Sequence, residues 1–299
     1  MNIKVNWEFT HKMNNKSSLS HRSQEPENCV LYIVGTPIGN LNDISSRAIK
    51  ILKNVSFIAC EDTRQTKKLM NKYGINNKTI SFNKYNGNEK ISRIINDLKS
   101  GKSVAIVSDA GMPSICDPGE ELIKNARSNK IDVICIPGAC AAITALVASG
   151  MPSSSFVFIG FLPKKKSTRE QLILEISKYE KTTVLFESPH RLKKLLKDLR
   201  YYCGEEKEVQ VFRELTKKHE EQIGNTLNKV INFFESKEVI GEITVVIKGI
   251  NKKVKIEIDE IQIKSELNEL INAGLSLSAA SKYLAKKNKI AKSKIYNLY

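Results

Sequence analysis

Val30-Leu31-Tyr32-Ile33-Val34, running straight into Gly35-Thr36-Pro37-Ile38-Gly39-Asn40, is a short apolar run that stops at a loop bearing Gly and Pro. A run this short, bounded by turn residues, reads as a buried strand, because a helix of similar character needs ten or more residues. Outward from it the same unit repeats. Strands are expected over 30–34, 55–60, 104–108 and 131–136, and helical patterns over 44–53, 63–73, 89–99, 118–128 and 139–149. Strands alternating with amphipathic helices predict parallel βαβ units.

The small-residue stretch Ser149-Gly150-Met151-Pro152-Ser153-Ser154-Ser155 interrupts this pattern and predicts a domain boundary. A second α/β set follows, with strands over 156–161, 182–186, 209–212 and 242–248 and helices over 168–178, 190–201 and 226–234. The first 28 residues show neither an apolar period nor a signal-peptide core, which predicts a disordered leader. The expected organisation is a leader over 1–28, an α/β domain over 29–150, a second over 151–250 and a basic helical module over 251–299.

The chain has 299 residues, 41% hydrophobic and 27% charged, a composition that disfavours wholesale disorder and collagen-like architectures. No stretch approaches the roughly 18 apolar residues of a membrane span. Cys29, Cys60, Cys116, Cys135, Cys140 and Cys203 form no CxxC pair; they read as reduced core residues of a cytosolic protein and not as metal ligands. The net charge of +16 points to a polyanionic partner, with nucleic acid the natural class. A compositional drift towards Lys and Asn competes with that reading, since only nine of the 48 basic residues are Arg. Position adds to the total: six Lys and no acid lie between Lys282 and Lys294.

Chemistry is expected at the carboxyl ends of the parallel strands. Three loops fall there: 35–40, Ser108-Asp109-Ala110-Gly111-Met112-Pro113-Ser114, and Pro137-Gly138-Ala139-Cys140-Ala141. None is a dinucleotide fingerprint or a P-loop. Their glycines suggest main chain wrapped closely around a compact ligand. Asp117-Pro118-Gly119-Glu120 has the form of a helix start with Asp117 as cap, whereas Asp109 has no capping role to explain it.

Leu31 to Leu41, Cys60-Glu61-Asp62-Thr63-Arg64, the Ser108–Ser114 loop and Ile136-Pro137-Gly138 together resemble the ribosomal RNA small subunit methyltransferase I family. The series continues with Gly160-Phe161-Leu162-Pro163, Phe186-Glu187-Ser188-Pro189-His190-Arg191, Arg213-Glu214-Leu215-Thr216-Lys217 and Gly241-Glu242-Ile243-Thr244, in the same order over 29–250. The tail from Gly274 to Tyr296 is similar to that family's small helical module. The resemblance implies the tetrapyrrole-methylase fold: two α/β domains with a cofactor cleft between them, S-adenosylmethionine in the cleft, and a homodimer. It also implies methylation of the ribose 2′-oxygen of a cytidine in the decoding centre of 16S rRNA; the expected partner is that rRNA, in the 30S subunit or naked. Two rivals are a corrin-type tetrapyrrole methylase on the same fold and a non-catalytic rRNA-binding assembly factor.

Carried onto this chain, the resemblance implies Asp109, Met112, Cys140, Ala141 and Leu185 as cofactor contacts, with Leu185 against the adenine. A sulfonium leaves readily, so catalysis requires mainly alignment and, to a lesser degree, a base for the ribose proton. The candidates are Glu61, Asp62, Glu187 and His190, with Glu187 and Asp62 preferred. Asp62 equally fits a helix N-cap, and Ser188-Pro189 a helix start. Lys164, Lys165 and Lys166, joined by Arg169, read as phosphate contacts; Arg64, Arg191 and Arg213 fit phosphate binding or ion pairing. The sequence departs from the family at 81–86, where Asn83 and Tyr85 stand in the places of histidines.

Overall fold

The computed structural model describes residues 25–83, 87–250, 260–288 and 292–299. They form two compact units, the smaller comprising Lys178–Glu180 and Gly249–Tyr299. The expected leader lies largely outside the described residues, as do Tyr85 and Lys289.

The larger unit begins with a five-stranded parallel sheet. Its elements are β1 (Val30–Val34), α1 (Ser46–Asn54), β2 (Phe57–Cys60), α2 (Thr63–Lys72), β3 (Thr79–Ser81), α3 (Gly87–Lys99), β4 (Val104–Val107), α4 (Glu120–Ser128), β5 (Asp132–Ile136) and α5 (Ala141–Ser149). The strand order is β3-β2-β4-β1-β5. β2 and β4 are buried throughout, as a strand covered on both faces must be, and this is why they read as unbroken apolar runs. Alternation along β1 sends Tyr32 and Val34 to one core, with Ile51 and Leu69, and Leu31 to the other, with Ile94, Leu98 and Leu122. Thus α1 and α4 cover opposite faces of the sheet. The crossovers from the neighbouring strands β1 and β4 go to opposite sides, which in open α/β sheets marks the carboxyl ends of those strands as the place for a ligand.

The second sheet departs from the parallel pattern. It holds β6 (Phe156–Phe161), β7 (Thr182–Glu187), β8 (Glu208–Arg213), β9 (Glu221–Thr226) and β10 (Ile243–Ile247), with α6 (Lys166–Ile176), α7 (Pro189–Cys203) and α8 (Leu227–Glu235). The order is β6-β7-β10-β8-β9, where only β6 and β7 run parallel and β10 lies antiparallel between β7 and β8. β9 was not expected: its Gln222-Ile223-Gly224-Asn225 core carries a single large apolar residue. β3, three residues long, escaped for the same reason.

α5 belongs by sequence to the first set but packs on the second sheet. Ala142, Ala145 and Leu146 share a core with Val184, Phe212 and Val246, which ties the two sheets together. The helix expected over 118–128 starts at Glu120, with Gly119 at its N-cap in place of Asp117. The cysteines are all free, but only Cys60 is buried; Cys29, Cys116 and Cys135 are exposed. Two of these three sit in loops at positive φ and the third on the edge strand β5, positions an apolar neighbourhood in sequence does not reveal.

The smaller unit packs α9 (Glu260–Asn272), α10 (Leu277–Asn288) and α11 (Lys292–Tyr296) around Ile263, Leu267, Ala280, Leu284 and Ile295. Gly274, at φ 98°, ends the first turn of chain after α9 as expected. Tyr283 lies outside this core and is 57% exposed. Lys282, Lys286 and Lys287 are exposed, and Lys287 reaches Glu266 at 2.8 Å. No described helix is long and apolar enough to cross a membrane.

Candidate active site and cofactor cleft

The loops after β1, β4 and β5 interlock. Gly35 N–H donates to Ile136 O at 3.0 Å, and Thr36 exchanges backbone hydrogen bonds with Gly111 at 2.9 and 3.1 Å. A β-carbon placed on Gly35 would lie 2.7 Å from the Gly138 backbone, and one on Gly138 would lie 2.8 Å from that of Gly35. These glycines, expected to admit a ligand, admit each other. The sulfur of Met112 lies over Gly35, and Ile38 lies over Gly111. The result is a fixed floor at the ends of three strands.

Groups suited to S-adenosylmethionine stand on and around that floor. Asp109 is exposed and Met112 half-buried in the loop after β4, and Ala141 is half-buried at the first position of α5. Cys140 is the N-cap of α5 and makes no side-chain cap, so the first-turn amides of α5 have no side-chain acceptor there. Half-buried Cys140, Phe158 and Phe186 complete an apolar flank. An acid for an ammonium, helix amides for a carboxylate and an apolar flank for a nucleoside match the cofactor's three chemistries.

Leu185 is placed elsewhere. Val184 and Phe186 face the core that contains α5, so alternation turns Leu185, fully buried, to the opposite side of the sheet. The aromatic flank that sequence reading missed is Phe186.

Asp62 caps α2, accepting from Arg64 N–H at 2.8 Å, and the Arg64 guanidinium folds back on the same carboxylate at 2.7 Å. These contacts hold its pKa at about 2. At neutral pH Asp62 is therefore a weak proton acceptor, which tells against the preferred catalytic role, and Arg64 is engaged in an ion pair. Asp109 accepts a bond from Asp62 N–H at 3.0 Å. Local burial, helped by the charge of Asp62, pushes its pKa up.

Glu187 is 2% exposed at the end of β7. Its Oε1 accepts from Ser188 N–H at 2.8 Å and meets Arg191 Nε at 3.2 Å, while Oε2 is buried without a partner. Arg191 also donates to Leu162 O at 2.9 Å. The preferred base is thus a buried anchor, and Arg191, expected either on phosphate or in an ion pair, takes the ion pair and joins α7 to the loop after β6. Arg169 is likewise 5% exposed and paired with Asp198 at 3.0 Å, so it leaves the basic run. Arg213 pairs with Glu221 at 2.7 Å. Lys164, Lys165 and Lys166 are exposed, with only a 3.8 Å approach of Lys166 to Glu170. His190 is exposed, and Asn83 lies within hydrogen-bond distance of Ser81 at 3.3 Å.

A second contact joins the β1 loop to the Arg213–Lys217 motif. Asn40 N–H donates to Thr216 Oγ1 at 3.0 Å, and Gly39 has no room for a β-carbon against Thr216 and Lys217. Glu214 and Thr216 hold positive φ, 54° and 65°. Lys217 spans Glu214 and Glu242 at 2.8 and 2.9 Å.

The two α/β layers are joined through α5 and carry interlocked loops at the first sheet's strand ends. The model of the family Tetrapyrrole (Corrin/Porphyrin) Methylases matches residues 30–231. Ribosomal RNA small subunit methyltransferase I of Halalkalibacterium halodurans is 42% identical over 279 residues, 92% of this chain and 96% of that protein. The protein of that name in Bacillus subtilis is 40% identical, covering 90% and 94%, and that of Thermotoga maritima 47%, covering 73% and 98%. The chain belongs to the ribosomal RNA small subunit methyltransferase I family. Among solved structures, a cobalt precorrin-4 methyltransferase aligns with a TM-score of 0.58 at 15% identity, over 74% of this chain and 95% of that one. Diphthine synthase aligns at 0.56 and 15%, over 73% and 90%. At these identities the likeness is one of fold.

Proposed function

We propose that this protein transfers a methyl group from S-adenosylmethionine to the ribose 2′-oxygen of a cytidine in the decoding centre of 16S rRNA. The observation that carries the reading is the identity of about 40% along nine-tenths of the chain to proteins named for rRNA methylation. The exposed Lys164–Lys166 run, which directly follows the Gly160–Pro163 loop, supports a polyanionic substrate.

When bound, S-adenosylmethionine supplies an electrophilic methyl carbon on a sulfonium. The protein's part is to orient. Asp109 would accept a hydrogen bond from the cofactor's ammonium or ribose, the uncapped first-turn amides of α5 beyond Cys140 and Ala141 would hold its carboxylate, and Met112 would supply apolar contact. With Asp62 held near pKa 2 by Arg64 and Glu187 buried against Arg191, rate enhancement comes chiefly from alignment of the 2′-oxygen. We place the reaction in the cytoplasm, on the assembled 30S subunit, with the protein acting as a homodimer.

The test is transfer of labelled methyl groups to 30S subunits lacking the modification, followed by alkaline hydrolysis. One protected linkage at a decoding-centre cytidine is expected, and Asp109→Ala should abolish cofactor binding in a folded protein. Absence of transfer to 30S subunits and to naked rRNA, with cofactor bound, would reject the assignment.

A further inference from the structure

We propose that Phe161 is a stacking platform for a base of the RNA substrate, an inference that rests on the rRNA reading above. It begins with a parity change in β6. Phe158 pairs with Val184 and Gly160 with Leu185, so Ile159 is an extra residue, and Phe161 pairs with Phe186. Without the bulge, the face of Phe156 and Phe158 would continue at Gly160 and Phe161 would point away. With it, Phe161 joins Phe158 and Phe186 on the face that looks toward α5 and the cleft.

The bulge is built into the sequence. Gly160 sits at φ 70°, and a β-carbon there would lie 2.9 Å from Cys116 Sγ. That contact also sets the bulge against the segment that continues from the Asp109 and Met112 loop. The rings form a chain: Phe158 meets Phe186 edge-on at 5.1 Å, and Phe186 meets Phe161 at 5.7 Å, tilted. Phe158 and Phe186 are half-buried, but Phe161 is 56% exposed. An aromatic ring that is braced at a tilt by a second ring and is more than half exposed offers π surface to a partner.

Its surroundings select the occupant. Lys164, Lys165 and Lys166 follow within five residues, all exposed, and Arg191 ties the intervening Leu162 and Pro163 carbonyls to α7. A π face at one end of a rigid loop and cations at the other match a base and its neighbouring phosphates in single-stranded RNA. The donor site draws on the loops of the first sheet and on the half-buried Phe158 and Phe186; Phe161, the one exposed ring of the three and the one nearest in sequence to the lysines, is assigned to the acceptor strand.

The full-length protein carrying Phe161→Ala, Phe161→Leu or Phe161→Trp would be titrated with a fluorescein-labelled single-stranded oligoribonucleotide of the decoding-region sequence. The KM for 30S subunits in methyl transfer would be measured alongside. Ala and Leu should each weaken RNA affinity and raise that KM roughly tenfold or more, with Trp at the wild-type level, because Leu restores apolar volume without a π face. S-adenosylmethionine affinity by calorimetry and elution volume should not move. Unchanged RNA affinity in Phe161→Ala overturns the platform alone; lost cofactor affinity assigns Phe161 to the donor site, and an altered elution volume assigns it to a protein interface, and both overturn it too. A wild-type protein that neither binds the oligonucleotide nor methylates 30S subunits overturns the rRNA reading and this inference together.

Discussion

Gly35 and Gly138 meet backbone to backbone, closer than any β-carbon on either would permit. The loops after β1 and β5 are thereby locked at one separation. Gly138→Ala must push main chain against main chain, with no flexible side chain to yield. A loss of about 1–3 kcal/mol in stability is expected from such overpacking, measurable by urea unfolding. Because the displaced segment leads into α5, S-adenosylmethionine affinity should fall by more than the stability change alone explains. A variant with wild-type cofactor affinity would show that the contact serves packing only.

The Glu187–Arg191 pair gives a different signature. Removing one member of a buried pair strands the other's charge, so Arg191→Met should cost about 3–5 kcal/mol. Glu187→Gln in that background should recover part of the loss, since a neutral amide tolerates burial better than an unpaired carboxylate. A double-mutant cycle in denaturant measures the recovery; strict additivity would contradict the coupling.

Asp62 predicts the shape of the acid limb. Its folded pKa of about 2 lies below the usual 3.8, so its stabilising contribution is complete above the ordinary value and is lost as pH falls from about 4 to 2. Asp62→Asn should flatten the stability curve in that window and leave its slope near neutrality unchanged. A curve superimposable on the wild type's between pH 4 and 2 would refute the pairing with Arg64.

The lysine run predicts salt dependence. Replacing Lys164, Lys165 and Lys166 with Ala should lower the slope of log affinity against log salt by roughly two, at about 0.7 per phosphate contact on single strands. The same slope in both proteins would mean that these lysines touch no phosphate.

How legible these features were depended on whether their partners were local. β2 and β4 announced themselves because both faces are buried, whereas β3 and β9, edge strands with one large apolar residue each, did not. The cap at Asp62 could be read from Asp62-Thr63-Arg64, since capping is decided within three residues. For Glu187 and Arg191 the sequence leaves phosphate binding and ion pairing open for the arginine, and the i,i+4 spacing is the signal that favours the pair. Arg169 looked like part of a solvated run because Asp198 lies 29 positions away. Leu185 was chosen one residue off, since its neighbours' facing depends on the sheet that β7 joins. Gly160 inside a strand pattern was the available clue to the bulge.

The place of β10 between β7 and β8 has a consequence for biosynthesis. The strand that fills the middle of the second sheet is the last of its strands to be translated, and the inner face of α5, made some hundred residues earlier, packs against Val246 in it. At roughly 5–20 residues per second on the ribosome, that helix waits several seconds or more with an apolar face uncovered. The halves on either side of residue 150 therefore share a core through α5. A nascent chain arrested before Ile243 should remain open to proteases around α5, and insertion of the final strand is the event that closes the molecule.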